Sequence, residues 1–316
     1  MSGPYFLGVD GGATKTKAVV CNAEGRVLGS GLAGASNYHF VGLEVARVNI
    51  TGAIQAAVLA ANVSKDRIKA IGLGMAGVDS PDDKATLEQA LQGFDLPQCM
   101  VIVNDGRAAL MGATGGRPGV VVIAGTGAIA FGVNAEGDTA RAGGWGYILG
   151  DEGSAYDIGR RGMVATLWAY DARGQPTTLL ERLREHYQLQ TIRDLLNLVY
   201  DAKMSHQEIA AFAQVVSTAA LEGDAVAQNI LRQAGEVLAL STLAVLRRLG
   251  LDGAEVEVAA AGSVLENDVL VRQAFEEAMR REAPLAGVIS PRHEAAVGAA
   301  LLAAKAYRDG CSSAKQ

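Results

Sequence analysis

The stretch FLGVDGGATKTKAVV (residues 6–20) passes from an apolar run through two glycines, a threonine and a lysine into a second apolar run. A P-loop would need GxxxxGK[ST], and a dinucleotide fingerprint would need GxGxxG opening a helix; these residues fit neither pattern. After Thr16 comes β-branched KAVVCN, then the turn Asn22-Ala-Glu-Gly25, then RVLGSG. The pattern therefore predicts a β-hairpin rather than a strand entering a helix. Glycines at such a turn let backbone amides approach an anion closely and form a nest for phosphate, although DGG alone also suits a plain tight hairpin.

The hairpin has a second copy. Shifting the chain by 112 positions lays VVVIAGTGAIAFGVNAEGD (120–138) under GVDGGATKTKAVVCNAEGR (8–26), matching Val9 with Val121, Thr14 with Thr126 and Ala18 with Ala130. The same shift matches Asn22-Ala-Glu-Gly25 with Asn134-Ala-Glu-Gly137. These coincidences around one glycine-threonine turn indicate an internal duplication, each half opening on a hairpin whose turn can hold a phosphate.

The remainder of each half follows one plan. In the first half a helical stretch is expected at 43–61, a strand at 69–75, a helix at 82–92, a strand at 100–103 and a helix from Asp105, giving the order βββαβαβα. The second half repeats three strands over 119–143 and then inserts a long helical region at about 154–249. It resumes with a strand at 255–260, a helix at 267–281, a strand at 286–289 and a helix at 294–307. GGRPG at 115–119 breaks the preceding helix, so the domains are expected at 1–116 and 117–316.

Bulk properties limit the partners. The chain has 316 residues, 49% of them hydrophobic and 20% charged, with a formal net charge of −6. Such length favours two domains, and the acidic balance, without a long basic cluster, argues against nucleic acid and anionic membrane surfaces. Cys21, Cys99 and Cys311 are odd in number and far apart, which suggests neither a disulfide framework nor a zinc site but single thiols in a reducing cytoplasm. No stretch of 18 uninterrupted apolar residues occurs, and no basic n-region precedes a long apolar run at the N-terminus.

With these motifs in order, the chain resembles the actin, hexokinase and Hsp70 superfamily of ATPases, and specifically the BadF/BadG/BcrA/BcrD family that includes N-acetylglucosamine kinases. DGGATKT (10–16) looks like the first phosphate motif, AGTGAI (124–129) the second and VAAAGSV (258–264) the adenosine motif. GRAALMGA (106–113) and EAAVGAALLA (294–303) look like the two connecting helices. GGWGYILGDEGSAYDIG (143–159) is similar to the sugar-site segment of N-acetylglucosamine kinases. The resemblance implies an α/β fold of two duplicated ribonuclease H-like (actin-like ATPase) domains, with the helical insertion in the second.

It also implies roles. ATP and Mg²⁺ would be bound, with Asp10 holding the metal and Gly11, Gly12, Thr14 and Lys15 facing the phosphates. Gly125, Thr126 and Gly127 would face them from the second half, Thr126 also reaching the sugar. Gly262 and Ser263 would border the adenosine, and Ala220 in AALEGD would line the base. Asp105, where a strand ends and a helix begins, corresponds to the catalytic base. Asn37 in GASNYHFVG, Gly144, Trp145 and Asp151 correspond to sugar ligands. The residues alone leave other readings open: Asp105 and Asp151 also suit helix N-caps, with Ser154 an alternative cap, and Trp145 a core position.

Ala128 departs from the hydroxyl residue often found directly after GTG in the family, which removes a donor near the phosphates but leaves the backbone nest. The expected activity is transfer of phosphate from ATP to the 6-hydroxyl of N-acetylglucosamine, or of glucosamine, in the cytoplasm, with the insertion available as a homodimer surface. An activator-type ATPase would need paired cysteines for an iron-sulfur cluster, and the three cysteines show no such grouping.

Overall fold

The computed structural model describes residues 3–201 and 204–311. The first hairpin forms as expected: β1 (Tyr5–Gly11) and β2 (Thr16–Cys21) pair antiparallel, with Asp10 opposite Lys17 and Gly11 opposite Thr16. β3 (Val27–Ala33) extends the sheet beyond β2, while β4 (Ile68–Met75) and β5 (Cys99–Asn104) lie parallel to β1 on its other side. The order is β3-β2-β1-β4-β5.

The second sheet repeats this plan. β6 (Gly119–Ala124), β7 (Ala128–Val133) and β8 (Thr139–Gly143) form the antiparallel meander. β9 (Val256–Ala261) and β10 (Ala286–Ile289) add in parallel beside β6, giving β10-β9-β6-β7-β8. The duplication read from the glycine-threonine turns is thus a duplication of sheet topology.

Local signals explain the helix ends. Ser80 and Asp83 form a capping box with Pro81 at the first helical position, starting helix Pro81–Ala90. In the insertion, Ser205 and Glu208 do the same for helix His206–Leu221, and Asp224 accepts from the amides of Val226 and Ala227 to start helix Ala225–Arg248. Asn104 caps helix Asp105–Thr114 by accepting from Gly106 N–H at 2.8 Å.

The chain divides into two compact units: residues up to Arg117 together with those from Pro291 onward, and Pro118–Ser290. The last helix, Ala295–Arg308, expected with the second half, therefore belongs to the first unit. Glycine makes this possible. A Cβ on Gly8 of β1 would lie 1.9 Å from the Ala296 carbonyl oxygen, and one on Gly72 of β4 would lie 1.9 Å from that of Ala299. The same helix approaches Asp105–Thr114 so closely that a Cβ on Gly298 would sit 2.0 Å from the Ala108 carbonyl oxygen. Any side chain at these three positions would hold the backbones apart.

Helix Leu43–Ala61 covers the other end of the first sheet, its backbone pressed on Gly29 and Gly31 of β3. By length and composition it is apolar enough to cross a membrane, and in this fold Ile50, Ala53, Ile54 and Ala57 enter the first unit's core. Helices Ala225–Arg248 and His206–Leu221 bring Phe212, Leu231, Leu238 and Leu246 into the second unit's core beside Val120 and Val122 of β6.

The cysteine expectation is corrected by the structure. Cys99, at the start of β5, and Cys311, after the last helix, form a disulfide with their Cα atoms 5.8 Å apart across 212 residues of sequence. Only Cys21 is free among the described residues, and burial raises its thiol to about 12.

Candidate functional site

β1, β4 and β5 run parallel, so their C-terminal ends fall on one edge of the first sheet, where ligands of open α/β sheets bind. Asp10 lies at that edge beside the turn Gly12–Lys15, which is closed by Gly12 N–H donating to the Lys15 carbonyl at 3.0 Å. Thr14 and Lys15 are exposed at its tip, while Thr16 is buried and donates to the Gly34 carbonyl. Gly11 tolerates no side chain: a Cβ there would lie 2.4 Å from Met75 and 2.5 Å from Ser36 Oγ.

The turn is tied to the loop that carries Asn37. The Gly12 carbonyl accepts from the amides of Ser36 and Asn37, at 3.0 and 3.2 Å. Asn37 is only 7% exposed, and its Oδ1 accepts from His39 N–H at 3.2 Å. Gly77, at φ 82°, follows β4 closely enough that a Cβ would touch Asn37 Oδ1. Tyr38 donates to Asp83, and His39 Nε2 lies 3.4 Å from the same carboxylate. This network holds the loop against the start of helix Pro81–Ala90.

Asp105 is the first residue of its helix and half-buried, with Asn104 doing the capping. The cap position is thus Asn104's, while Asp105 Oδ1 accepts from the same Gly106 N–H at 2.8 Å. Its charge is felt at Asp10, whose carboxyl is raised to about 6, first by burial and then by Asp105; Glu294 adds to the rise, while Lys15 and Lys17 oppose it. Lys17 makes an ion pair with Glu294.

In the second unit the corresponding turn, Gly125–Gly127, is closed by Gly125 N–H donating to the Gly127 carbonyl at 2.9 Å. The Gly125 carbonyl accepts from Ala155 N–H at 2.8 Å, anchoring the turn to the first turn of helix Ala155–Tyr170. Gly262, at φ 89°, packs on the Ala124 backbone where a Cβ would lie 2.4 Å from its carbonyl oxygen, and Ser263 is exposed beside Gly125. Gly125, Thr126, Gly127, Gly262 and Ser263 are thus brought together, whereas Ala220 is buried in the core of the helical insertion and presents no surface to a base.

The segment 143–151 lies beside the same turn. Trp145 is 64% exposed with the Arg141 guanidinium 4.5 Å from its ring centroid, which removes the core reading. Gly144 adopts φ 69°, and its N–H donates to the Ala128 carbonyl at 2.9 Å. Ser154 is the helix cap; Asp151 instead sits at φ 63°, and its Oδ1 accepts from Ala128 N–H at 3.0 Å. Burial holds the Asp151 carboxyl above its ordinary value, with Glu152 adding and the Ala128 amide and His206 opposing. Tyr147 stacks on His206 at 5.2 Å with the rings nearly parallel.

The four histidines show no ligand spacing in the sequence and read as structural or exposed, with His39 beside the sugar loop as the exception; Gly77 and Tyr147 escaped the sequence reading. Aromatic residues within a glycine-rich segment were the available signal for Tyr147, but no spacing relates it to His206, which starts a helix far along the chain.

Known proteins resemble the chain in sequence and in fold. The chain is 34% identical over 299 residues to the N-acetylmuramic acid/N-acetylglucosamine kinase of Clostridium acetobutylicum, covering 95% of this chain and 98% of that protein. It is 34% identical over 316 residues to the N-acetyl-D-glucosamine kinase of Dictyostelium discoideum, covering 96% and 98%. A Chromobacterium violaceum crystal structure matches with TM-score 0.76 at 29% identity, covering 96% of this chain and 99% of that one. The Streptomyces griseus ROK family glucokinase, solved with glucose and AMPPNP, shares the fold at TM-score 0.60 and 19% identity, covering 95% and 99%. Residues 7–303 match the BadF/BadG/BcrA/BcrD ATPase family, and the chain belongs to it.

Proposed function

We propose that this chain is an ATP-dependent sugar kinase that transfers the γ-phosphoryl group of ATP to the 6-hydroxyl of N-acetylglucosamine. The observation that carries the reading is the placement of Asp10 and Asp105 at one strand edge, beside a glycine turn to which the Asn37 loop is hydrogen-bonded. The two curated relatives at 34% identity name N-acetylglucosamine in their activities.

Phosphoryl transfer asks a protein mainly to position the reactants and neutralise charge. Asp105 accepts the proton of the attacking hydroxyl as its oxygen bonds to the γ-phosphorus and ADP leaves. Gly11, Gly12, Thr14 and Lys15 are assigned to phosphate oxygens, as are Gly125, Thr126 and Gly127. Gly262 and Ser263 border the adenosine. Asn37, Gly144, Trp145 and Asp151 hold the sugar.

Asp10 suits a hard divalent cation such as Mg²⁺. Its buried carboxylate, crowded by Asp105 and Glu294, resists ionisation on its own, and a cation there would remove that conflict. Among the described residues no cluster of three or more His, Cys, Asp or Glu could hold a metal, so phosphate oxygens and water would supply most ligands. When bound, such an ion neutralises charge on the transferring phosphate. Since ATP is supplied inside cells, the reaction is assigned to the cytoplasm. The helical insertion, which exposes Trp168, Tyr170, Leu221 and Leu240, is assigned as a homodimer surface.

The test is a coupled ADP-release assay with Mg-ATP across glucose, glucosamine, N-acetylglucosamine, N-acetylmuramic acid and N-acetylmannosamine. The highest kcat/KM is expected for N-acetylglucosamine. Absence of sugar-dependent ADP release would overturn the reading.

A further inference from the structure

The residue after the second glycine turn is held on both of its backbone groups by one segment. The Ala128 carbonyl accepts from Gly144 N–H at 2.9 Å, and the Ala128 N–H donates to Asp151 Oδ1 at 3.0 Å. Gly144 and Asp151 flank Trp145, so the two ends of the segment assigned to the sugar grip the exit of the turn assigned to phosphate. The fit is close. A Cβ on Gly127 would lie 2.9 to 3.0 Å from the Asp151 carboxylate oxygens, and one on Gly144 would lie 2.7 Å from the Ile129 side chain.

Asp151 is also one of few non-glycine residues at positive φ, a conformation that costs energy and persists only where its surroundings impose it. Here the surroundings are identifiable. The Asp151 carbonyl accepts from Ser154 N–H at 3.1 Å, and the middle of the segment is pinned by Tyr147 stacked on His206 at the start of helix His206–Leu221. The carboxylate is turned back onto the phosphate turn.

From this geometry we infer that Asp151 is a positioning residue for the nucleotide: its carboxylate holds Ala128, and through it the Gly125–Gly127 turn, in the conformation that receives phosphate. The second carboxylate oxygen, Oδ2, stays available to sugar hydroxyls, so one side chain links acceptor binding to nucleotide binding. Ala128 carries no hydroxyl of its own, so this turn is ordered through its backbone and the Asp151 carboxylate. The inference rests on reading the turn as a nucleotide phosphate site.

The test is ADP binding by isothermal titration calorimetry in the absence of any sugar, for the wild-type chain, Asp151→Ala and Asp151→Asn. Asparagine tolerates the left-handed conformation and keeps an acceptor oxygen for Ala128 N–H, whereas alanine has neither property. Loss of this one partly buried hydrogen bond predicts about 5- to 10-fold weaker ADP binding for Asp151→Ala, with most of the affinity restored in Asp151→Asn. Thermal unfolding of each variant establishes that it is folded. A residue serving only the sugar would leave ADP affinity equal in all three proteins, and that result would overturn the inference while leaving the kinase reading intact. Absence of ADP binding by the wild-type chain would overturn both.

Discussion

Replacing Asp10 by asparagine should stabilise the ligand-free protein while abolishing its activity. The carboxyl midpoint of Asp10 is raised from 3.8 to about 6, chiefly by burial, with Asp105 as the next cause. One pH unit of displacement is worth about 1.4 kcal/mol, so ionised Asp10 costs the folded state about 3 kcal/mol at neutral pH. The side chain keeps some contact with water, which brings the expectation to about 2–3 kcal/mol. The direction follows from comparing folded and unfolded chains. Below about pH 4 the carboxyl is protonated in both, and no penalty exists. Between about pH 4 and 6 the unfolded chain ionises first, so stability falls as pH rises, and above about 6 the penalty is constant.

Asparagine is nearly isosteric and carries no such cost. Urea unfolding in EDTA at a series of pH values should show Asp10→Asn and wild type converging near pH 4 and separating by about 2–3 kcal/mol at pH 8 in favour of the variant. Mg-ADP should then narrow the gap by stabilising wild type preferentially. Parallel stability curves, or a variant less stable than wild type at pH 8, would refute the assignment of Asp10 as a buried, electrostatically frustrated carboxylate.

Other expectations follow from neighbouring features. Asp105→Asn should lower kcat by about 10²–10⁴-fold while sugar affinity, measured by calorimetry, stays within about threefold; near-normal turnover would remove it as the base. Gly8→Ala would place a methyl 1.9 Å from the Ala296 carbonyl oxygen, so a loss of at least about 3 kcal/mol or failure to fold is expected, and an unchanged melting curve would contradict the packing of the last helix on β1. Reducing the Cys99–Cys311 bond should lower stability by about 2–5 kcal/mol in urea unfolding with and without reductant, because the bond closes a loop across 212 residues. Under the same conditions without denaturant, Cys21 should resist alkylation, since its thiol is buried and raised to about 12.

Much of the architecture is written in local patterns. The helix expected at 43–61 is observed over Leu43–Ala61, because an alanine-rich amphipathic run sits between two turn signals, and the strand expected at 286–289 forms over Ala286–Ile289. The duplication is legible because both glycine turns must meet similar backbone demands, and such demands leave residues at fixed offsets. Pairings made only by the folded chain leave no such trace. Nothing around Cys99 announces Cys311, and the alanine and glycine stripe of the last helix does not state which sheet it will cover.

The site shows the same division. Asp10, Asn37 and Asp105 stand at strand ends or turns whose chemistry reads directly. Asp151 reads equally well as a cap or a ligand, and only its positive φ and the bond to Ala128 N–H separate those roles. Ala220 was placed by motif position alone, and the packing of helix His206–Leu221 turns it inward.

The last helix has a consequence for how the polypeptide matures. Pro118–Ser290 is an uninterrupted stretch that can complete its core as soon as it has left the ribosome. The first unit cannot, although its strands are made earlier: Gly8 and Gly72 leave a bare trough across β1 and β4 until Ala296 and Ala299 arrive, after the whole second unit. Strands made before the second unit thus wait for a helix made after it. A premature stop between Ser290 and Ala296 would spare most of the chain yet leave its first sheet uncovered, with the apolar trough open to whatever chaperone or neighbouring chain reaches it.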